Sequence, residues 1–291
     1  MKLVLLHGRS QQDKDATRLK DEWVRALKLG LEKNNLTLDL PDEDIIFPYY
    51  GDLLIDLIDN PDANIENVIK KGNNGIDAET AMFISELLEE VKQNGDLTDE
   101  EVLKIAELNS IEKGPLNWPW IQAILRALDE RNIFDQETLW IFTNDVFCYL
   151  KESVIRRKID QFVRQYIPEN DQCVWVGHSL GSVISYNILS EYTGNNIKEI
   201  ITVGSPLGLN AIRKNLKSPL VMPGCSLNGW YNAYDRKDVV SLFPLENPYF
   251  TTDPVITNNG KVLNDTKNKH GITGYLKDKD VALRIYNSLY K

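Results

Sequence analysis

Short unbroken apolar runs alternate along this chain with stretches in which apolar residues recur every three or four positions. Lys2 to His7 is a β-type apolar run without polar alternation, as expected of a parallel strand covered on both faces. A polar loop, His7-Gly8-Arg9-Ser10, leads into a helix pattern from about Thr17 to Lys33, with Leu19, Trp23, Leu27 and Leu31 at four-residue steps. Asp44 to Pro48 reads as the next strand. Strand, helix, strand is the unit of a parallel sheet with a right-handed crossover.

From about residue 52 to 132 the strand signal stops. Leu53 to Ile58 predicts a short helix, and Lys71 to Gly75 a turn. Asp77 is placed to cap a helix carrying Ile84, Leu87, Leu88 and Val91. Thr98 with Glu101 three positions on forms a capping box for another helix, and Trp118-Pro119-Trp120 precedes a third with Ile121, Ile124, Leu125 and Leu128 on one face. The whole stretch reads as a helical insertion within a single 1–291 domain. It is a candidate lid, and helices packed on the body away from any site are the alternative.

Thr138 to Tyr149 fits strand or helix, and Tyr149 to Tyr166 predicts one helix, stopped by Pro168. Cys173 to Val176 is a buried strand that runs into Gly177-His178-Ser179-Leu180-Gly181, after which Leu180, Val183, Ile184 and Ile188 mark a helix. Glu199 to Val203 and Gly229 to Ala233 are further strands, Val255 to Thr257 a short candidate one, and Val281, Ile285 and Leu289 share a face of the last helix. The expected class is α/β, a mostly parallel sheet flanked by helices.

Composition narrows the partners. The 291 residues are long enough to bury a substantial core, and a formal net charge of -10 argues against nucleic acid and against anionic lipid. No apolar run approaches the roughly 20 residues of a membrane span, so no integral membrane association is expected. The apolar run after Lys2 is short for a signal peptide and lacks a small-residue cleavage site, so it reads as a strand. Cys148, Cys173 and Cys225 have no C-x-x-C spacing, which points to free thiols in a reducing cytoplasm and to no zinc site.

The chemistry centres on Ser179. A strand that reverses into a helix within a few residues strains the backbone at the serine, and side chains two positions to either side collide with the turn. That is the G-x-S-x-G nucleophile elbow, with helix capping as the plainer role for the same serine. A serine nucleophile needs a general base. The chain holds three histidines. His178 adjoins the serine on the same turn and is expected to hydrogen-bond or pack behind it, and His7 to shape the loop after the first strand, which leaves His270 as the base. A carboxylate in a loop after a late strand should orient it. Asp238 is favoured over Asp235, with Asp253 and Asp265 as weaker candidates. For the oxyanion, the Leu180 amide at the helix start is one donor and the Arg9 amide the expected second, with Gly8 allowing close approach.

With these residues placed, the chain resembles a lipase or esterase of the α/β-hydrolase superfamily. Gly177-His178-Ser179-Leu180-Gly181 is similar to the G-H-S-L-G form common in lipases. Ile201-Thr202-Val203-Gly204-Ser205-Pro206 is similar to their strand end after the elbow helix, Asp238-Val239-Val240 to their D-x-V acid loop, and His270 with Tyr275 to their late histidine loop. The likeness covers the start and roughly the second half of the chain, not residues 51 to 132. It implies a cytoplasmic serine hydrolase that cleaves a small-molecule or lipid-like carboxylic ester through Ser179, His270 and Asp238, with no metal or cofactor. Acyltransferase and thioesterase activities use the same residues, a peptidase shares the fold, and a non-catalytic binding module is the rival from another class. A lid also leaves room for a regulatory partner that the sequence does not specify, and Trp118 to Trp120 would suit a membrane-facing lid if exposed.

Overall fold

The computed structural model describes residues 1–8, 15–58, 78–107, 113–114 and 117–291. Its frame is a parallel sheet of six strands, β1 (Lys2–Leu6), β2 (Ile45–Ile46), β3 (Cys173–His178), β4 (Ile197–Val203), β5 (Trp230–Ala233) and β6 (Thr257–Asn259). They lie side by side in the order β2-β1-β3-β4-β5-β6, every neighbour pair parallel. The sheet therefore grows outward in two directions from the β1–β3 pair. In such sheets the crevice outside the carboxyl ends of the two central strands is where ligands bind.

The absence of polar alternation in the strands has a simple cause: both faces are covered. Leu3 and Leu5 of β1, with Val174 and Val176 of β3, pack on α1 (Ala16–Glu32) and on the C-terminal helix Lys279–Tyr290. Val4, Leu6 and Trp175 face the opposite way, into a core shared with the helices that connect β2 to β3. The four-residue steps of α1 are those of its buried stripe, Leu19, Trp23, Leu27 and Leu31.

Between β2 and β3 every described element is helical: α2 (Gly51–Ile58), α3 (Ala78–Asn94), α4 (Asp99–Ile105), α5 (Trp118–Glu130), α6 (Gln136–Lys151) and α7 (Ser153–Arg164). The helical stretch thus runs past residue 132, and the ambiguous Thr138–Tyr149 segment is helix. The turn at Lys71 to Gly75 and the Asp77 cap lie outside the described residues. The Thr98–Glu101 capping box is formed, with both the side chain to backbone bond and its reciprocal.

The single helix expected over Tyr149 to Tyr166 is instead broken at Glu152, which takes an extended conformation (ψ 98°). The buried stripe explains the break. It steps by threes and fours through Leu139, Phe142, Val146 and Leu150, then by five to Ile155. An unbroken helix would swing Ile155 about 140° from Leu150 and out of the core. Trp120 is 1 % exposed, with its indole N–H donated to Glu89 Oε1 at 2.6 Å, and Trp118 meets Trp140 edge-on. These aromatics fasten α5 to the body rather than present an apolar lid.

After β3 come α8 (Leu180–Leu189), α9 (Asn210–Arg213), α10 (Ile272–Leu276) and α11 (Lys279–Tyr290). The last helix buries Val281, Ile285 and Leu289 on one face, as their spacing predicts, and Asp278 caps its start with its side chain on the Asp280 and Val281 amides. The short strand near Val255 is shifted to Thr257–Asn259 and completes the sheet beside β5. Among the described residues no helix is long and apolar enough to cross a membrane.

Candidate active site

The carboxyl ends of the strands collect the singled-out residues. His7 and Gly8 follow β1, Ser179 follows β3, Asp235 and Asp238 follow β5, and the chain leaving β6 carries His270. Ser179 sits at φ 53° and ψ -127°, the left-handed half of backbone space that non-glycine residues seldom occupy. The turn is held from both sides. A Cβ on Gly177 would lie 2.7 Å from Ser185 Oγ, and one on Gly181 would lie 2.3 Å from the His7 carbonyl oxygen. The two glycines are therefore required by close packing of the turn against α8 and against the end of β1. Ser182 Oγ donates to the Ser179 carbonyl at 2.6 Å and reaches Ser205 Oγ at 2.8 Å, anchoring the turn to the end of β4.

Ser179, His270 and Asp238 meet in one hydrogen-bonded line. Ser179 Oγ lies 2.8 Å from His270 Nε2, and His270 Nδ1 lies 2.7 Å from Asp238 Oδ2. All three are buried, Asp238 completely. Asp238 is acceptor-rich and fully served: Tyr275 Oη and Ser241 Oγ each donate to Oδ2 at 2.7 Å, and the Val240 amide donates to Oδ1 at 3.2 Å. Burial raises the Tyr275 hydroxyl well above the usual range, with the neighbouring Asp238 charge adding to it, so it stays protonated and remains a donor. With Nδ1 donating to a carboxylate, His270 Nε2 is left as the acceptor for the serine proton.

Asp235 has a different place. Its Oδ1 accepts the Lys237 amide at 2.8 Å and its Oδ2 the Asn264 amide at 2.7 Å. Asn264 Nδ2 in turn donates to the Gly271 carbonyl at 2.8 Å, and the Gly271 amide donates to Thr266 Oγ1 at 2.9 Å. Asp235 thus ties the acid loop to the histidine loop and does not touch the imidazole. Asp265 pairs with Lys277 at the surface.

The other two histidines are structural. His178 Nε2 lies 2.9 Å from the His270 carbonyl oxygen, so it carries the proton and donates, fastening the backbone of the histidine loop behind the elbow. Burial, with His270 adding to it, keeps its ring well below the ordinary imidazole value and hence neutral. His7 stacks on Tyr50, with ring centres 4.2 Å apart, and its Nε2 accepts the Tyr50 amide at 3.1 Å. Nδ1 is then the protonated nitrogen and donates to the Gly8 carbonyl at 2.9 Å.

Burial pulls His7 from 6.5 to about 4. The unfolded chain therefore binds a proton at His7 that the folded chain refuses, and stability present above the unfolded value is lost as pH falls toward the folded one. The expected loss by pH 4 is about 3 kcal/mol. Urea unfolding from pH 7 to 4 checks this. A His7→Gln variant whose stability falls as steeply as the wild type would contradict it.

For an oxyanion, Leu180 opens α8, so its N–H is among the donors that a helix start leaves without an intrahelical partner. The Arg9 amide lies outside the described residues. Gly8 is brought hard against the serine turn: a Cβ there would stand 2.8 Å from Ser179 Cβ.

No protein-family model matches this chain, and no curated protein matches its sequence. The geometry carries the functional argument. Ser179 opens onto a cleft of about 250 Å³ lined by Trp23 of α1, Phe134 and Phe142 together with the polar side chains of Glu22, Thr138, Asn268 and Thr273. The two phenyl rings stand 5.9 and 6.1 Å from the His270 ring. The side chains that cover the site from between β2 and β3 thus lie beyond residue 132, outside the 52–132 stretch singled out as a candidate lid. Sequence reasoning did not single out Phe134, Phe142, Trp23 or Ser241 for the site. Their apolar or small side chains carry no local signal that separates them from ordinary core. Among the described residues no group of three or more His, Cys, Asp or Glu side chains is placed to hold a metal. The cysteines are free and buried, and burial pushes the Cys148 and Cys173 thiols up to about 12 and Cys225 to about 11, which leaves them unreactive at neutral pH.

Proposed function

We propose that the protein is a serine hydrolase of the α/β-hydrolase type that cleaves carboxylic esters. The observation that carries the reading is the unbroken line from Ser179 Oγ to His270 at 2.8 Å and from His270 to Asp238 at 2.7 Å, at the open end of a parallel sheet. The positive φ of Ser179 at a strand-to-helix turn supports it, as does the order of nucleophile, acid and base after β3, β5 and β6.

In this reading Ser179 Oγ attacks the ester carbonyl carbon while its proton passes to His270 Nε2. The developing oxyanion takes a hydrogen bond from the Leu180 amide, aided by the start of α8. Asp238 keeps the imidazole in the tautomer that presents Nε2 and stabilises the cation formed. The ester C–O bond then breaks, and the leaving alkoxide takes the proton from His270. Water repeats the sequence on the acyl-Ser179 intermediate and releases the acid. The burial of all three groups lets each of these interactions act with little solvent screening.

Treatment with a fluorophosphonate followed by intact-mass measurement tests the reading directly. One adduct is expected on the wild type and none on Ser179→Ala. An unlabelled wild type, or a variant labelled to the same extent, refutes it.

A further inference from the structure

Asp238 is unevenly loaded. Its Oδ1 accepts the Val240 amide at 3.2 Å, whereas Oδ2 lies 2.7 Å from each of three groups, His270 Nδ1, Tyr275 Oη and Ser241 Oγ. All four residues that meet at Oδ2 are buried.

The direction of the Tyr275 hydrogen is set by its neighbours. Oη accepts the Asp235 N–H at 3.2 Å, and has one hydrogen to place between Asp238 Oδ2 at 2.7 Å and Ser241 Oγ at 3.1 Å. The nearer, charged acceptor wins. Ser241 faces the same choice, 2.7 Å against 3.1 Å, and resolves it the same way. Both hydroxyls therefore donate to the oxygen that holds the imidazole. The phenol ring is fixed in place, since a Cβ on Gly204 would stand 2.9 Å from its Cε2.

A hydrogen donated to a carboxylate stabilises its charge and shares it. In a site with little water that sharing is poorly screened. Without the two hydroxyls, Oδ2 would turn its charge wholly on His270 and hold the imidazolium harder. Less of the neutral base that Ser179 needs would then be present at a given pH, and the proton would pass less readily to the leaving alcohol. The other ionisable groups that face the ring among the described residues are His178, its ring centre 5.0 Å away, and Glu22 of α1 at the exposed rim of the cleft. His178 is held neutral by burial and bonds the His270 carbonyl rather than the ring. Lys267 and Lys269 belong to the histidine's own loop.

We propose that Tyr275 and Ser241 are positioning residues that act through Asp238, their hydroxyls tempering its hold on the imidazolium so that His270 remains a free base into mildly acidic solution. This deepens the hydrolase reading and rests on Ser179 as the nucleophile.

The test is the pH dependence of kcat/KM for p-nitrophenyl acetate in the wild type, Tyr275→Phe and Ser241→Ala. In each variant the midpoint of the acid limb is expected to rise by about 0.5–1 pH unit. Below the midpoint that is a loss of about three- to tenfold, while the plateau at higher pH stays within about threefold of wild type. Tyr275→Phe also leaves the Asp235 N–H without its acceptor, so some stability is lost, but that loss does not move a midpoint. A merely structural Tyr275 would lower kcat/KM by one factor at every pH. An unmoved or lowered midpoint in either folded variant overturns the proposal, and if Tyr275→Phe does not fold, Ser241→Ala decides by the same criterion. A fluorophosphonate adduct on the wild type alongside an unmoved midpoint overturns the proposal alone and leaves Ser179 as the nucleophile. Absence of both adduct and turnover in the wild type removes that reading, and the positioning role with it.

Discussion

On the proposed reading, Asp238→Asn is expected to lower kcat for p-nitrophenyl acetate by about 10³- to 10⁴-fold with KM little changed. The fold is expected to survive: with the amide oxygen kept on the Val240 N–H, the amide nitrogen takes the Oδ2 position, where the Ser241 and Tyr275 hydroxyls can turn from donating to accepting. The damage is electronic and tautomeric: an amide nitrogen facing His270 Nδ1 reverses the donor and acceptor roles, so Nε2 no longer presents a lone pair to Ser179 2.8 Å away. The neighbouring aspartate provides the contrast. Asp235→Asn places an amide N–H2 against a backbone N–H, at the Lys237 or the Asn264 amide. It should reduce stability by about 1–3 kcal/mol while kcat falls less than tenfold. Steady-state kinetics and urea unfolding on the two variants check both halves. Equal losses of kcat would mean that the imidazole is not oriented by Asp238 in particular.

The largest effect on folding is expected from Gly181→Ala. The new Cβ would lie 2.3 Å from the His7 carbonyl oxygen and 2.5 Å from that of Leu6. Both obstacles are backbone atoms in or next to a central strand, so neither can swing aside as a side-chain tip would. Either α8 retreats, taking the Leu180 amide with it, or β1 shifts in its pairing with β3. The expected cost is at least about 3 kcal/mol, at the upper end of overpacking. At roughly 2–3 °C per kcal/mol for a chain of this size, Tm falls by at least about 6–9 °C. On the proposed reading hydrolytic activity is expected to fall with it, since the Leu180 amide moves. Gly224→Ala is the control: a Cβ there has nothing within 4 Å, and its Tm should stay within about 2 °C of wild type. Thermal denaturation of the two variants side by side decides the matter. Similar shifts would mean that the elbow is looser than its contacts imply.

The parts of the site that the chain announces are those whose chemistry or backbone demand is local. Gly177, Ser179 and Gly181 are legible because a strand reversing into a helix needs a residue at positive φ and two neighbours without side chains, and the packing distances at both glycines show why. His270 is legible by scarcity, since His7 and His178 are spoken for by their neighbours. The capping box at Thr98 is legible for the same local reason. Where the chain misleads, a non-local demand wins. Residues 149 to 166 carry a good helical stripe, yet the helix breaks at Glu152 because the core on either side of it is met at different angles.

The choice between Asp235 and Asp238 shows what lies beyond a single chain's pattern. Three residues apart in one loop, they differ in the sequence only by the Val239-Val240 that follows Asp238 and favours it, and it is the arrival of the histidine loop after β6 that gives Asp238 the imidazole and Asp235 a backbone amide. Phe134 and Phe142 are similar. The bend and helix that carry them read as generic core until the fold sets them over Ser179, which makes two ordinary aromatics part of the wall of a cleft. The sequence by itself determined the parallel α/β frame, the strained serine turn and the histidine that serves it, because those follow from periodicity, backbone sterics and the shortage of alternatives. Tertiary structure decided that Asp238 and not Asp235 meets the imidazole, and that Phe134 and Phe142 stand beside it, because both depend on segments remote in the chain being brought together around His270.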